Sequence, residues 1–159
     1  MNVAVLGVGR LRERYYREAA DEYVKRLGRY LSLEEVEIPD SPEPKRPSEA
    51  LDARVMDEEG ARLLARIRPG DHVIALCIEG QACSSEQFAE KLEARKLDGT
   101  ARLVFVIGGS LGLSRAVRER AQEKLSFSPM TFPHQLARVM LLEQLYRACK
   151  LNAGERYHK

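Results

Sequence analysis

The sequence is poor in the residues that build disulfide frameworks and zinc sites. It contains three histidines and three cysteines, Cys77, Cys83 and Cys149. Three cysteines cannot all pair with one another, and neither a CxxC pair nor the cysteine–histidine spacing of a zinc site is present. We therefore expect free thiols and no bound metal.

Long apolar runs are also lacking, and none approaches the roughly 20 residues that a membrane span needs. The N-terminal segment MNVAVLGVGR lacks the basic-then-apolar layout of a signal peptide. A length of 159 residues suits one domain with a buried core, and 44% hydrophobic and 31% charged residues are ordinary for a globular protein. We expect a single soluble, cytoplasmic domain over residues 1–159.

An excess of one charge is missing as well, because 26 basic residues face 24 acidic ones. Nucleic-acid-binding proteins that are recognisable from composition usually carry a strong basic excess, so any RNA site here must be local. Two basic clusters are candidates, Arg10, Arg12, Arg14 and Arg17 in one and Arg147, Lys150, Arg156, His158 and Lys159 in the other. A solvated helix face or a frayed tail explains each cluster equally well.

Apolar runs alternate with segments of helical spacing along the whole chain. The runs predict strands near residues 3–6, 33–38, 72–78, 103–107 and 125–127, with helices between them and a long helix over 133–150. Four prolines between residues 39 and 47 predict a surface loop over 40–48, and residues 152–159 form a basic tail. This alternation predicts an α/β fold with a mainly parallel sheet sandwiched by helices.

The first glycine turn, Gly7-Val8-Gly9, follows a predicted strand and superficially resembles a dinucleotide-binding fingerprint. Arg12 occupies the position of the third glycine, which normally lets the helix pack close to the strand. A plain strand-to-helix turn is the favoured interpretation.

The second glycine turn, Gly108-Gly109, follows the most uniformly apolar strand of the chain. Open α/β sheets bind ligands at the carboxyl ends of such strands, and the missing Cβ atoms would let a ligand approach the backbone. The turn has neither GxGxxG spacing nor the Lys-Ser/Thr pair of a phosphate loop. We interpret it as a ligand turn, with a purely structural turn as the alternative.

The segment from Phe127 to Pro133 is apolar and aromatic, although loops before a helix are usually polar. Pro133 suits the first helical position, which would place Phe132 at the N-cap without a side-chain acceptor. The free backbone N–H groups could then meet a ligand, but packing into the core or an interface is equally possible. His134 reads as a helix-start histidine rather than a base.

The sequence resembles the RlmH (YbeA-like) family of SPOUT-class RNA methyltransferases over its whole length. Three groups of segments, in this order along the chain, carry the resemblance. They are Val106 to Gly112, then Leu125 to Ser128 with Met130 to Gln135, and finally Gly154 to Lys159. The resemblance implies a C-terminal trefoil knot, an exception to the rule that chains avoid knots. It also implies a homodimer whose interface includes the helix over 133–150.

The same resemblance implies the cofactor S-adenosylmethionine and no metal. The implied cofactor residues are Leu76, Gly108, Phe127, Ser128, Pro129, Met130, Thr131 and Phe132. The implied reaction is methylation of N3 of a pseudouridine in 23S ribosomal RNA, on assembled ribosomes. His158 and Tyr157 become candidates for engaging the substrate, from either subunit, with Arg147, Arg156 and Lys159 on phosphates. Which group accepts the N3 proton stays open at this point.

Two other function classes compete with this interpretation. A ribosome-binding factor could keep the fold and have lost cofactor use, although the intact Gly108-Gly109 turn argues against it. An oxidoreductase that uses Gly7 and Gly9 would bind NAD or FAD instead.

Overall fold

The computed structural model describes residues 1–157, and over that range helices and strands alternate in the predicted order. The elements are β1 (Asn2–Val8), α1 (Arg14–Leu27), β2 (Ser32–Ile38), α2 (Glu49–Leu64), β3 (His72–Ala82), α3 (Ser85–Leu97), β4 (Arg102–Ile107), α4 (Arg115–Arg120), β5 (Glu123–Ser126) and α5 (His134–Asn152). None of the helices in this range is long and apolar enough to cross a membrane.

The five strands form one sheet in the order β2-β1-β4-β3-β5, and every neighbouring pair is parallel. Every residue of β4 is buried, which confirms its predicted place in the interior of a sheet covered on both faces. Because all strands run the same way, the turns after β1, β3, β4 and β5 emerge at one edge of the sheet. The predicted α/β fold with a parallel sheet is confirmed.

Each face of the sheet carries its own apolar core, since alternate side chains of a strand point to opposite faces. On one face, Val3, Leu103 and Phe105 pack with residues of α1, α3 and α5. On the other face, Leu6 and Val106 pack with residues of α2 and α4. The long α5 therefore covers the middle of the sheet beside α1 and α3.

Serine side chains start three of the helices. Ser84 forms a capping box at the start of α3, in which its hydroxyl accepts from the amide of Gln87 and the Gln87 side chain accepts from the Ser84 amide. Ser114 caps α4, and Ser48 caps α2.

Strand β3 is longer than predicted, because it does not end near residue 78 but continues to Ala82. Leu76 and Gln81 both pair with Leu125 of β5, so the residues between them leave the regular register. A Cβ on Gly80 would come within 2.6 Å of the Leu125 backbone, so glycine permits this close approach. Gly80, just past the predicted end of the strand, therefore lets two strands meet.

The start of α5 also differs from the prediction. Pro133, not Phe132, is the N-cap, because its ψ of 135° is outside the helical region. The helix begins at His134 and runs to Asn152, slightly past its predicted end.

The loop after β2 contains no helix or strand between residues 40 and 48, as its prolines predicted. Its beginning is anchored rather than free. Arg62 of α2 donates to the carbonyl of Pro39 at 2.8 Å and to the hydroxyl of Ser41 at 3.0 Å. The buried Glu59 carboxylate accepts from the Ser41 amide at 3.4 Å.

Candidate active site

A cavity of about 880 Å³ lies at the carboxyl edge of the sheet, between the segments that follow β3, β4 and β5. Seven of the eight predicted cofactor residues line it, namely Leu76, Gly108, Phe127, Ser128, Met130, Thr131 and Phe132. Pro129, the eighth, is exposed and is not part of the lining. The three segments that the resemblance grouped into one cofactor site thus meet at one place, and their role as cofactor residues stays a prediction.

The sequence suggested that Gly108 and Gly109 leave room for a ligand. In the structure, their missing side chains leave room for other parts of the protein. A Cβ on Gly108 would lie 2.6 Å from the carbonyl carbon of Gly112, and one on Gly109 would lie 3.0 Å from the carboxylate of Glu59. Both missing side chains therefore face protein. Gly112 has a φ of +92° and its amide donates to the Gly109 carbonyl at 3.0 Å, which closes the turn. The glycines shape the cavity wall by folding it tightly.

The aromatic loop is held by its two serines. The Ser126 hydroxyl donates to the carbonyl of Ser128 at 3.1 Å, and the Ser128 hydroxyl accepts from the Met130 amide at 3.0 Å. Met130 is 72% exposed, while Phe127 and Phe132 are half-buried. The loop therefore presents apolar side chains to the cavity on a backbone that its own hydrogen bonds fix.

The first turn of α5 follows this loop, and its backbone N–H groups have no partners within the helix. No side chain caps the helix, and the first intrahelical bond runs from the Ala137 amide to the Pro133 carbonyl at 2.9 Å. The amides before Ala137 lack helical partners, and the positive end of the helix dipole adds to their effect. These donors can bind an electronegative group of a ligand.

His134, the first residue of α5, is half-buried in the cavity wall. Its Nε2 atom lies 3.5 Å from the position that a Cβ of Gly9 would occupy. Burial lowers the pKa of the imidazole, and the neighbouring guanidinium of Arg138 lowers it further. The ring is therefore neutral near pH 7, in a position that sequence reasoning assigned to a helix-start histidine only.

Three other ionisable groups line the cavity. Glu79 accepts from Arg118 at 2.6 Å, and its own backbone amide and Arg118 lower the pKa of the carboxyl. Burial raises the pKa of the Cys77 thiol. Across residues 1–157, no group of three histidine, cysteine or acidic side chains is arranged to hold a metal ion.

The turn after β1 is docked onto the start of α5. Arg138 is 2% exposed and donates to the carbonyl of Gly9 at 2.8 Å, while the amide of Arg12 donates to the side chain of Gln135 at 3.1 Å. Gly9 has a φ of +83°, a conformation that favours glycine. The predicted strand-to-helix turn is confirmed, with α1 beginning only at Arg14.

The described residues that the resemblance assigns to RNA and substrate lie elsewhere on the protomer. The guanidinium of Arg147 lies 4.0 Å from the centre of the Tyr157 ring, and the rings of Tyr146 and Tyr157 meet edge to face at 5.6 Å. Burial, and then a hydrogen bond to Glu143, raise the pKa of Tyr157. Arg156 is exposed.

None of Arg147, Arg156 and Tyr157 lines the cavity. His158 and Lys159 lie outside the described residues.

Sequence reasoning missed Cys77, Glu79, Arg118 and Arg138. The first two follow Leu76 on a strand whose carboxyl end faces the site, and this position was a usable signal. Arg118 belongs to a short helix with several arginines, and Arg138 to a helix of mixed composition, so neither pattern singles them out.

The sequence is similar to known proteins over nearly its whole length. A family model described as "Predicted SPOUT methyltransferase" matches residues 1–158. Two relatives, from Bacillus cytotoxicus and Bifidobacterium animalis subsp. lactis, are each 50% identical over 159 residues, covering 100% of both chains, and both are named "Ribosomal RNA large subunit methyltransferase H".

Two solved structures share the fold at low sequence identity. A probable methylase family protein from Haemophilus influenzae aligns with a TM-score of 0.55 at 16% identity, over 99% of this chain and 70% of the other. A probable methyltransferase from Bordetella pertussis aligns with a TM-score of 0.54 at 19% identity, over 93% of this chain and 96% of the other.

Proposed function

This chain belongs to the SPOUT methyltransferase family, and we propose that it uses S-adenosylmethionine to methylate N3 of a pseudouridine in 23S ribosomal RNA. The substrate is the assembled ribosome, in the cytoplasm. One observation carries the cofactor assignment, namely that Leu76, Gly108 and the loop after β5 line one cavity of about 880 Å³. The names of relatives that are 50% identical over their full length support the substrate assignment.

The lining of the cavity fits the cofactor. A flat adenine ring needs an apolar slot and backbone groups at its edge, and Phe127, Met130 and Phe132 supply apolar walls. The uncapped first turn of α5 supplies amide donors at the same place. We assign Leu76, Gly108, Phe127, Ser128, Pro129, Met130, Thr131 and Phe132 to cofactor binding, with Pro129 shaping the loop from outside the cavity.

When bound, the cofactor supplies an electrophilic methyl group. The chain's own task is to position the base against it, and alignment of the reacting groups lowers the barrier by reducing the entropy that must be lost. His158 and Tyr157 engage the base. Arg147, Arg156 and Lys159 contact phosphates, which fixes the register of the RNA.

The working form is a homodimer. Leu141, Leu142 and Leu145 of α5 are fully buried in the protomer, whereas Val139 and Met140 are only half-buried and line a groove of about 480 Å³ beside α3. This half-covered apolar strip of α5 is where we place the second copy, so that the tail of one protomer approaches the cavity of the other. The trefoil knot of the family stays a prediction for this chain.

Two measurements test the proposal. Calorimetry with S-adenosylmethionine should show binding that Phe132→Ala weakens about tenfold, because an aromatic wall is lost. Leu97→Ala is the matched control, since Leu97 is 78% exposed on α3 and should leave binding unchanged. Mass mapping of 23S ribosomal RNA from cells with and without the gene should show one methyl group on a pseudouridine.

Absence of cofactor binding at about millimolar concentration would contradict the methyltransferase assignment. Ribosome binding without methyl transfer would favour a ribosome-binding factor instead. If light scattering reports a monomer at working concentration, the dimer assignment is contradicted, but the cofactor and substrate assignments are not.

A further inference from the structure

We propose that His134 accepts the N3 proton of the target base during methyl transfer. The inference rests on the function proposed above and assigns the group that takes the proton. It starts from the position of His134 at the beginning of α5, directly after the loop that we assign to the cofactor.

The position of the ring is suited to this role. His134 lines the same cavity as Phe132 and Gly108, and its ring has no hydrogen-bond partner among the described residues. The other histidine in the described part of the chain, His72, is instead paired with Glu123 at 2.7 Å and lies outside the cavity. A histidine that only supports the fold is usually paired as His72 is, so the unpaired ring of His134 is available to a ligand.

The remaining ionisable groups of the cavity are poorer proton acceptors. Glu79 is held as a carboxylate by Arg118, and its lowered pKa makes it a weak base. Cys77 has a raised pKa and stays a neutral thiol near pH 7. Arg118 is a cation and cannot accept a proton. Among the described residues that line the cavity, His134 is therefore the one neutral base.

The charges around His134 keep it in the accepting form. Arg138 lies one turn further along α5 and Arg12 on the turn after β1, and both disfavour the imidazolium. Asp40, in the loop after β2, acts in the opposite direction but is outweighed by burial and Arg138. The positive end of the α5 dipole adds to the same preference.

The step balances in atoms and charge. The N3–H bond breaks and its proton moves to an unprotonated ring nitrogen of His134, which becomes an imidazolium. The N3 lone pair forms the new bond to the methyl carbon while the carbon–sulfur bond breaks, and that electron pair stays on sulfur. The products are a neutral methylated base and a neutral thioether, and the imidazolium then releases its proton to solvent.

The test compares His134→Asn with wild-type protein in single-turnover methylation of large subunits from cells that lack the gene. The wild-type rate should fall as the pH drops through the pKa of His134, which lies below its usual value of 6.5. The variant should be at least about 100-fold slower near pH 7, and its rate should keep rising at alkaline pH, where the base itself ionises. His72→Asn is the matched control and should keep the wild-type pH profile.

Two readouts separate proton transfer from a structural role. Calorimetry should give His134→Asn a cofactor affinity within about threefold of wild type. The rate of His134→Ala should recover when imidazole is added, in proportion to the unprotonated fraction of that imidazole. If His134→Asn unfolds, rescue of His134→Ala decides the question.

The assignment would be overturned if His134→Asn kept the wild-type rate within about threefold or kept the acidic limb of the pH profile. It would also be overturned if imidazole failed to rescue His134→Ala. A wild-type protein that neither binds the cofactor nor methylates would instead overturn the proposed function. The two failures are therefore distinguishable.

Discussion

The guanidinium of Arg138 lies against the Cα of Gly7, so closely that a Cβ on Gly7 would come within 2.5 Å of Nη2. The Arg138 side chain thus lies against β1. It donates to the carbonyl of Gly9 and lies 3.5 Å from the carboxylate of Glu37. A glycine that resembles part of a nucleotide-binding motif therefore makes room for a buried arginine. This contact fixes the start of α5, and with it the adjoining wall of the cavity.

Gly7→Ala should lower the free energy of unfolding by about 1–3 kcal/mol, because the added methyl group overpacks the space of Arg138. Urea unfolding measures the change. In an Arg138→Ala background the same substitution should cost less than half as much, since the clash is gone. Gly28→Ala is the control, because a Cβ there meets only ordinary contacts at 3.4 Å or more and should have little effect. Equal costs in both backgrounds would refute the contact.

Gly108→Ala should reduce both stability and cofactor affinity. The new Cβ would lie 2.6 Å from backbone atoms of Gly112, which cannot move aside as a flexible side chain can, so the turn must open. We expect a loss of about 1–3 kcal/mol in thermal or urea unfolding, with at least tenfold weaker cofactor binding. Gly70→Ala should be neutral in both assays, because nothing lies within 4 Å of its Cβ position. Unchanged unfolding of Gly108→Ala would contradict the closed turn.

Glu59→Gln should change how stability depends on pH. Burial raises the pKa of the Glu59 carboxyl, so the folded state binds this proton more tightly than the unfolded state does. The associated stability is present at acidic pH, below the ordinary value of 4.5, and is lost as the pH rises through the folded pKa. The variant should therefore gain stability relative to wild type as the pH rises above 4.5, until the pH passes the folded pKa, as urea unfolding at several pH values would show.

Glu58→Gln is the control for this series, because Glu58 is exposed on the same helix. A Glu59→Gln difference that stays constant with pH would show that the carboxyl has an ordinary pKa in the folded protein.

Removal of residues 157–159 should separate cofactor binding from catalysis. Arg147 and Tyr157 contact each other and neither lines the cavity, so calorimetry should find the cofactor affinity nearly unchanged. Methylation of ribosomes should fall at least tenfold, because the candidates for substrate engagement are lost. The lost cation–π contact should cost about 1 kcal/mol of stability at most. Unchanged turnover would exclude a role for the tail in substrate engagement.

The parts of the fold that could be predicted from the sequence depend on neighbours along the chain. The capping box at Ser84 and the buried strand β4 are examples, because the partners or the pattern lie within a few residues. The continuation of β3 through Gly80 could not be predicted, since it depends on the approach of Leu125 from another strand. The same holds for Arg138, whose burial depends on Gly7.

For the site, seven residues of the cavity lining could be predicted from family resemblance, but the reason for its glycines could not. Gly108 and Gly109 look like ligand-contacting glycines in the sequence, and only the folded chain brings Gly112 and Glu59 against them. The sequence alone indicates only a helix-start histidine at His134, because a histidine at a helix start is common. Its place in the cavity depends on the loop that precedes it and on the turn after β1.

The packing of α5 against α1 and α3 has a consequence for synthesis of the chain on the ribosome. Leu141, Leu142 and Leu145 belong to the apolar core that also includes Val3 and Leu27, so this core cannot close until the segment of α5 has left the exit tunnel. Domains generally fold as units, and their exposed apolar surface is prone to aggregate until folding is complete. The nascent chain should therefore expose this apolar surface until α5 has been synthesised.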